Sequence, residues 1–390
     1  MASRVQLNAL GALVFVLAVP AAFLPHAAVF RASVLERVRA EWNFTRRWPA
    51  YRAAYVARVA AVQRDFQTHP SDLRKLRRQN VYLFLIESYG QTVLDRSELR
   101  VRVEPEYRRF ETALSGIGFQ LASRVLDSST YGGRSWLAQS TALTCVPTRD
   151  QFQFELLRAA QPTTLARIFA SAGYRTVLAQ PGTTRDPQEL FHFDKHYFLR
   201  DFGYRGPHFG WATMSDQYVL DFVRRREIVN ANSPLFLTYA LVASHVPWSD
   251  LPPMIDDWST LGDGSLYLGL PHPHYPSQWL SLAGASGAYA DAIVYDLEVL
   301  RRYISEFVQD DSLVIILGDH QPHSEITAGG PSYGVPVHVL SRNAEFIAPF
   351  RARGYTPGML AEKALPHPGL ETLMRDVVAD FSVNSPGSTR

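Results

Sequence analysis

The sequence predicts an α/β fold with a mostly parallel central sheet and helices on both faces, preceded by an N-terminal apolar helix. Two apolar runs of strand length, residues 81–86 and 313–317, are rich in aromatic and β-branched side chains, as in strands that are buried on both faces. Further runs of this kind alternate with segments of helix length. This alternation is typical of a parallel sheet whose strands are joined by helices.

Length and composition limit the classes of protein to which the chain can belong. It has 390 residues, of which 46% are hydrophobic, so it can bury the core of one large domain and still carry an extension. Its net charge of +2 gives no electrostatic reason to expect a nucleic-acid partner. Cys145 is the single cysteine, which excludes an internal disulfide. The composition does not indicate an oligomeric state.

The N-terminal residues 1–30 predict a membrane anchor or a signal segment. Residues 5–30 contain no Asp, Glu, Lys or Arg, and about 20 apolar residues are enough to cross a bilayer. A cleaved signal peptide is the alternative, but residues 18–32 lack the Ala-x-Ala pattern of a cleavage site. The anchor is therefore the favoured interpretation.

The rest of the chain is predicted to contain a connector, one large domain and a tail. Residues 31–78 predict an amphipathic helical connector, broken near Pro49 and Pro70, which either lies at a membrane surface or packs on the large domain. The large domain is expected over residues 79–381, and residues 382–390 form a frayed tail. Within the domain we predict helices at 104–116, 163–172 and 289–308, strands at 119–126, 174–179 and 235–242, and a long loop over the active face at 247–287.

Polar side chains that can do chemistry follow the two most apolar strands. Glu87 comes directly after the first of them, and Asp319 and His320 come after the second. Ser135 follows two glycines and opens a run of helix length, where free helix N–H groups favour an anion. Taken alone, Ser135 is more simply explained as an ordinary helix N-cap. Because ligands bind at the carboxyl ends of strands in open α/β sheets, we expect these side chains to lie together.

The same side chains predict one divalent metal ion. Two carboxylates, an imidazole and a hydroxyl are oxygen and nitrogen ligands of the kind that such ions prefer. Mn²⁺ is favoured, with Mg²⁺ and Zn²⁺ as alternatives.

The order of these motifs along the chain resembles that of a known superfamily. A strand ending in Glu87, a Gly-x-Ser segment at Ser135 and a strand ending in Gly-Asp-His at Asp319 resemble the sulfatase-like branch of the alkaline phosphatase superfamily. Lipoteichoic acid synthases and other phosphoglycerol transferases are the members that it resembles most. The resemblance covers about residues 80–343 and includes the segment Ser-His-Val-Pro-Trp that begins at Ser244. It is specific to the superfamily rather than to one substrate.

This resemblance implies a metal-dependent phosphotransferase or phosphohydrolase that acts on the head group of a cell-envelope phospholipid or glycan. Ser135 would be the nucleophile and would share the metal with Glu87, Asp319 and His320. The matching position in lipoteichoic acid synthases is a threonine, which also offers a hydroxyl.

The resemblance also assigns residues that contact the substrate. His245 would contact the substrate or assist proton transfer to the leaving group. Lys195 would stand near the place of a phosphate-binding arginine, although lysine is a point charge and not a bidentate fork. Arg134, beside the nucleophile, would bind substrate as well.

Two alternatives remain open. Residues 145–149 fit the pattern Cys-x-Pro-x-Arg of sulfatases whose cysteine becomes formylglycine, which would make Cys145 the catalytic residue. The spacing from Ser135 argues against this, because it puts Cys145 at the position of a glycine that ends the helix. The second alternative is a non-catalytic binding protein that has kept the fold.

The resemblance implies a location outside the cytoplasm, in the periplasm or at the cell surface, with the N-terminus holding the domain at the membrane. The flanking charges indicate the opposite orientation. Arg31, Arg37 and Arg39 follow the apolar span and only Arg4 precedes it, so the positive-inside rule alone would place the domain in the cytoplasm. We give more weight to the resemblance.

Overall fold

The computed structural model describes residues 28–69, 71–184, 190–275, 281–308, 311–329, 332–361 and 365–383. The chain divides into two compact units, with the boundary between Arg58 and Val59. Nearly all of the predicted anchor at 5–30 and most of the tail at 382–390 lie outside the described residues. Within the described ranges, no helix combines the length and the apolar character that a bilayer span requires. The predicted domain boundaries stay predictions.

The helices of the described chain alternate with strands for most of its length. In chain order the α-helices are α1 (Ala28–Thr68), α2 (Thr92–Asp95), α3 (Ser97–Gly116), α4 (Ser135–Thr144), α5 (Gln151–Ala160), α6 (Leu165–Ser171), α7 (Asp216–Val223), α8 (Leu282–Phe307), α9 (Ser324–Thr327), α10 (Ala344–Ala352) and α11 (Glu371–Phe381).

Three helices extend beyond their predicted limits. Helix α1 continues through Pro49 and α3 begins before Pro105, so the break predicted at Pro49 and the start predicted at residue 104 are wrong. A proline removes one backbone donor, but the turns on either side keep their hydrogen bonds. Helix α8 begins at Leu282, where the side chain of Ser281 accepts a hydrogen bond from a backbone N–H, and the predicted loop therefore ends earlier than residue 287.

The strands of the described residues form one eight-stranded sheet. They are β1 (Val81–Ile86), β2 (Gln120–Asp127), β3 (Arg175–Gln180), β4 (Lys195–Phe198), β5 (Leu235–Leu241), β6 (Leu313–Gly318), β7 (Gly334–Ser341) and β8 (Thr356–Pro357). Their order across the sheet is β4-β3-β5-β1-β6-β7-β2-β8. Strands β4, β3, β5, β1 and β6 are parallel to one another, while β7 is antiparallel to β6 and β2. The predicted α/β fold with a mostly parallel sheet is confirmed.

Both faces of the sheet are buried at its centre. Successive strand residues point to opposite faces, and all six residues of β1 are buried. On one face, Tyr82, Phe84 and Ile86 pack in a cluster with apolar residues of α3 and α8. This double burial explains why β1 and β6 are continuous apolar runs and not alternating ones.

The register of the three central strands decides where the functional residues lie. Ile86 at the end of β1 is opposite Leu241 of β5 and Gly318 of β6. The residues that follow these three strands therefore leave the sheet at the same level. Glu87, Asp319 and the segment that leads to His245 are brought to one edge in this way.

The end of β6 approaches the chain segment after β1 too closely for a side chain. A Cβ on Gly318 would lie 1.8 Å from the backbone oxygen of Tyr89. We predict that Gly318→Ala destabilises the domain by roughly 1–3 kcal/mol or more, because the obstructing atom is backbone. Urea unfolding followed by circular dichroism measures this change.

Gly116→Ala is the matched control for this variant. A Cβ there meets no described atom within 4 Å, and alanine in a helix is favoured over glycine by about 0.5–1 kcal/mol. The control is expected to unfold at the same or a higher urea concentration than the wild type. Equal midpoints for Gly318→Ala and the wild type would contradict the prediction.

Candidate active site

The serine predicted as nucleophile is the first residue of helix α4, not its N-cap. The N-cap position is taken by Arg134, whose φ of 65° is left-handed, and its side chain makes no capping hydrogen bond. Gly132 and Gly133 also have positive φ angles, of 64° and 130°, which glycine adopts without strain. This turn presents the Ser135 hydroxyl at the helix N-terminus, and the interpretation as an ordinary N-cap is wrong.

The Ser135 hydroxyl contacts two of the predicted metal ligands. Its Oγ donates a hydrogen bond to Glu87 Oε2 at 2.7 Å and lies 3.2 Å from His320 Nε2. His320 Nε2 is also 3.1 Å from Glu87 Oε1. Asp319 completes the cluster, since one ligand atom each from Glu87, Asp319 and His320 lie within 4.8 Å of one another.

Backbone groups orient two of these side chains. Asp319 Oδ1 accepts hydrogen bonds from the backbone N–H groups of Ser88 at 2.8 Å and His320 at 2.7 Å. His320 Nδ1 donates to the backbone oxygen of Gln321 at 2.8 Å, so Nε2 is the ring nitrogen that faces the cluster. The same Gln321 oxygen accepts the N–H of Gly132 at 3.0 Å. The histidine and the serine turn therefore share one acceptor.

The charges of the cluster depend on one another. Burial opposes ionisation of Glu87, but the charge and hydrogen bond of His320 lower the pKa of Glu87 to about 2. Burial also opposes protonation of His320, but the charges of Asp319 and Glu87 raise its pKa to about 10. Burial and the charge of Glu87 raise the pKa of Asp319 to about 7. Two buried carboxylates at this site thus require a positive charge beside them.

These residues fit a divalent cation. The chain offers two carboxylates, an imidazole Nε2 and a hydroxyl that converge, and the Nδ1 hydrogen bond to a backbone oxygen is the usual support of a ligating histidine. A cation would replace the imidazolium as the positive charge, because a ligating imidazole is neutral. Glu87, Asp319, His320 and Ser135 are the residues that could hold it.

A cavity of about 380 Å³, which we call the serine cavity, opens beside the cluster. Its polar wall includes Glu87, Arg134, Ser135, Asp319 and His245, and its aromatic wall includes Trp136, Phe154, Phe191 and Trp211. The ring of His245 stacks on that of Trp211, with centroids 3.9 Å apart. His245 Nδ1 is 2.6 Å from the backbone oxygen of Val246, which leaves Nε2 as the nitrogen that can exchange a proton with a substrate.

A buried aspartate, Asp216, supports the backbone that leads to His245, and a second, Asp296, lies beside it. Asp216 accepts hydrogen bonds from the N–H groups of Val242 at 3.1 Å and Ala243 at 2.7 Å. Burial raises the pKa of Asp216 to about 6, and burial with the neighbouring Asp216 charge raises the pKa of Asp296 well above its usual range. Ionisation of both carboxyl groups is therefore disfavoured while they are buried beside each other.

The structure places Lys195 away from this cavity. Lys195 begins β4 opposite Val177, whereas the cavity residue Gln180 is opposite Phe198 at the other end of that strand. The Lys195 ammonium lies 4.7 Å from the centre of the Tyr197 ring. Of the basic residues predicted to bind substrate, Arg134 alone lines the serine cavity.

Cys145 does not line the serine cavity either. It ends helix α4 with a left-handed φ of 57°, and it is 1% exposed. Burial raises the pKa of its thiol to about 12, which is far from that of a reactive cysteine. Its place at the helix end agrees with the spacing argument from the sequence.

Some cavity residues were missed by the sequence analysis. Gln180 ends β3, and the rule that ligands bind at the carboxyl ends of strands could have found it. Its Oε1 is buried without a hydrogen-bond partner among the described residues, while its Nε2 donates to Gln139 at 2.8 Å. Trp136 follows Ser135 directly, but Trp211 belongs to a loop in which no pattern marks it.

Comparison with known proteins gives a family match and several similar folds. The Sulfatase family model matches residues 138–343, a range that contains His245, Asp319 and His320 and begins just after Ser135. No curated protein matches the chain in sequence.

Three solved structures are similar at low identity. A protein of the alkaline phosphatase superfamily from Vibrio parahaemolyticus has a TM-score of 0.52 and 13% identity, over 79% of this chain and 67% of that one. The C-terminal periplasmic domain of phosphoethanolamine transferase EptC from Campylobacter jejuni has a TM-score of 0.50 and 11% identity, over 79% of this chain and 91% of that one. Lipoteichoic acid synthase LtaP from Listeria monocytogenes has a TM-score of 0.49 and 15% identity, over 79% of this chain and 73% of that one. Identities this low show the fold alone.

The position of Cys145 allows a direct test of the formylglycine alternative. We predict that Cys145→Gly keeps the wild-type turnover of aryl phosphate and sulfate esters, because the residue is buried outside the cavity and its left-handed backbone favours glycine. Intact-protein and peptide mass spectrometry of active wild type should find an unmodified cysteine. A formylglycine residue, or loss of turnover in a folded variant, would contradict this.

Proposed function

Because the chain belongs to the sulfatase family and is a sulfatase-like hydrolase or transferase of phosphoric or sulfuric esters, we propose that it is a metal-dependent phosphotransferase or phosphohydrolase with Ser135 as nucleophile. The observation that carries this proposal is the contact of the Ser135 hydroxyl with Glu87 Oε2 and His320 Nε2 at the N-terminus of α4. A hydroxyl between a carboxylate and an imidazole is placed to lose its proton.

Ser135 would attack the phosphorus of the ester. The new bond joins Oγ to phosphorus, the bond from phosphorus to the leaving oxygen breaks, and the hydroxyl proton passes to Glu87 Oε2, which accepts the Ser135 hydrogen bond. Glu87, Asp319, His320 and Ser135 would hold one divalent ion, which supplies positive charge for the alkoxide and for the phosphoryl oxygens. Free N–H groups of the first turn of α4 add to this stabilisation.

His245 would assist the leaving group. It lies in the serine cavity with Ser135, and its Nδ1 is engaged by the oxygen of Val246. The Nε2 proton of the imidazolium would go to the departing oxygen, which then leaves as a neutral alcohol. Stacking on Trp211 holds the ring in one plane.

The lining of the serine cavity supports a phosphate-ester head group. Arg134 supplies a cation for the phosphate, and the aromatic wall covers the apolar part of the substrate. We propose a cell-envelope phospholipid or glycan as the source of this head group. The C. jejuni domain of similar fold is periplasmic, which supports a location outside the cytoplasm.

The nucleophile is tested by Ser135→Ala. We expect kcat/KM for aryl phosphate esters to fall by about 10³-fold or more, with an unchanged unfolding midpoint, because the variant lacks the attacking oxygen. Ser115→Ala, at an exposed position of α3, is the matched control and should retain full activity. Turnover by Ser135→Ala at the wild-type rate would refute the assignment.

The metal is tested by elemental analysis of the full chain, purified without chelators. We expect about one equivalent of a divalent ion, with Mn²⁺ favoured over Mg²⁺ and Zn²⁺, and its loss in Asp319→Ala. Asp256→Ala is the control, because that side chain is 92% exposed and lies outside the cluster. A folded wild type that takes up no ion from Mn²⁺, Mg²⁺ or Zn²⁺ solutions would overturn the metal centre.

A further inference from the structure

A second cavity, of about 640 Å³, lies on the other side of the serine turn. Its wall includes Asp127, Thr130, Tyr131, Arg134 and Arg149, and we call it the arginine cavity. Arg134 lines both cavities. The turn that presents Ser135 is therefore a common wall between them.

The walls of the two cavities are also joined by a hydrogen bond. Ser128, which lines the arginine cavity, donates from its Oγ to the backbone oxygen of Asp319. A ligand in the arginine cavity would thus lie close to the proposed catalytic centre without entering it.

The charged side chains of the arginine cavity favour an anion. Arg134 and Arg149 are both exposed, and neither guanidinium has a hydrogen bond or an ion pair with another described residue. Asp127 is the acidic residue of the described wall, and its Oδ1 is 3.1 Å from His367 Nδ1. Two unpaired guanidiniums against one carboxylate leave the cavity positive. Guanidinium groups bind phosphate through paired hydrogen bonds.

We propose that the arginine cavity binds a second phosphate group of the substrate, held by Arg134 and Arg149. This inference rests on the proposed function and narrows its substrate class. The ester cleaved in the serine cavity belongs to a molecule that carries a further phosphate, as a polyanionic glycan or a lipid phosphate does. Arg134, shared by both cavities, links recognition of the two groups.

Direct binding tests the site apart from catalysis. Methyl phosphate is titrated by calorimetry into the full chain carrying Asp319→Ala, which removes the metal-dependent phosphate site. We expect saturable binding that Arg149→Gln, added to this background, weakens by at least about tenfold, as loss of a charge-assisted hydrogen bond requires. Arg200→Gln is the control, because that exposed arginine lines neither cavity.

Kinetics separate failure of this proposal from failure of the proposed function. Arg149→Gln should leave kcat/KM for p-nitrophenyl phosphate unchanged and should lower it for a p-nitrophenyl phosphodiester whose second alcohol carries a phosphate. Equal effects on both substrates, or methyl phosphate binding unaffected by Arg149→Gln, would overturn the second-phosphate site. Wild type that turns over neither ester, while binding still depends on Arg149, would refute the catalytic assignment alone.

The source of the phosphate is decided by competition. Vesicles of phosphatidylcholine with and without phosphatidic acid are added to the methyl phosphate titration. Displacement by the phosphatidic acid vesicles alone would identify a lipid-borne phosphate. Binding of methyl phosphate that these vesicles leave unchanged would identify a soluble or glycan-borne phosphate. Absence of any saturable binding would overturn the proposal.

Discussion

The register of three parallel strands is the constraint on which the rest of the site depends. Ile86 is paired with both Leu241 and Gly318, so β5, β1 and β6 end at one level. Parallel strands deliver their carboxyl ends to the same edge, and a shift of one residue would turn every side chain to the opposite face. The apolar interior fixes this register because all residues of the three strands are buried. Packing in the core thereby sets the distance between polar groups at the edge.

The polar groups at this edge oppose the stability of the fold that positions them. Glu87 and Asp319 are buried, and two adjacent buried carboxylates are unfavourable without a compensating cation. The backbone N–H groups of Ser88 and His320 relieve part of this cost at Asp319. Such a cluster is explained by a function and not by stability.

The sequence predicted the features that repeat along the chain and missed those that depend on tertiary contacts. Glu87, Asp319 and His320 follow long apolar strands, so a general rule located them. The role assigned to Lys195 came from the family resemblance. The short strand β4 that contains Lys195 was not predicted, so the direction of this side chain and its distance from the edge of the sheet were unknown. Arg149 and Trp211 reach their cavities through loops, where periodicity gives no signal. The break predicted at Pro49 was wrong, because the surrounding helix tolerates one missing backbone donor.

The carbonyl oxygen of Gln321 connects the serine turn to the histidine that is proposed as a metal ligand. It accepts from His320 Nδ1 and from the N–H of Gly132, so both lone pairs of one atom are engaged. A change that draws the serine turn outward breaks the Gly132 hydrogen bond to this oxygen, while His320 keeps its own. The atom that fixes the imidazole tautomer is thus also the point to which the nucleophile turn is attached. A serine turn grafted from another member of the fold would have to present a backbone donor at the place of Gly132.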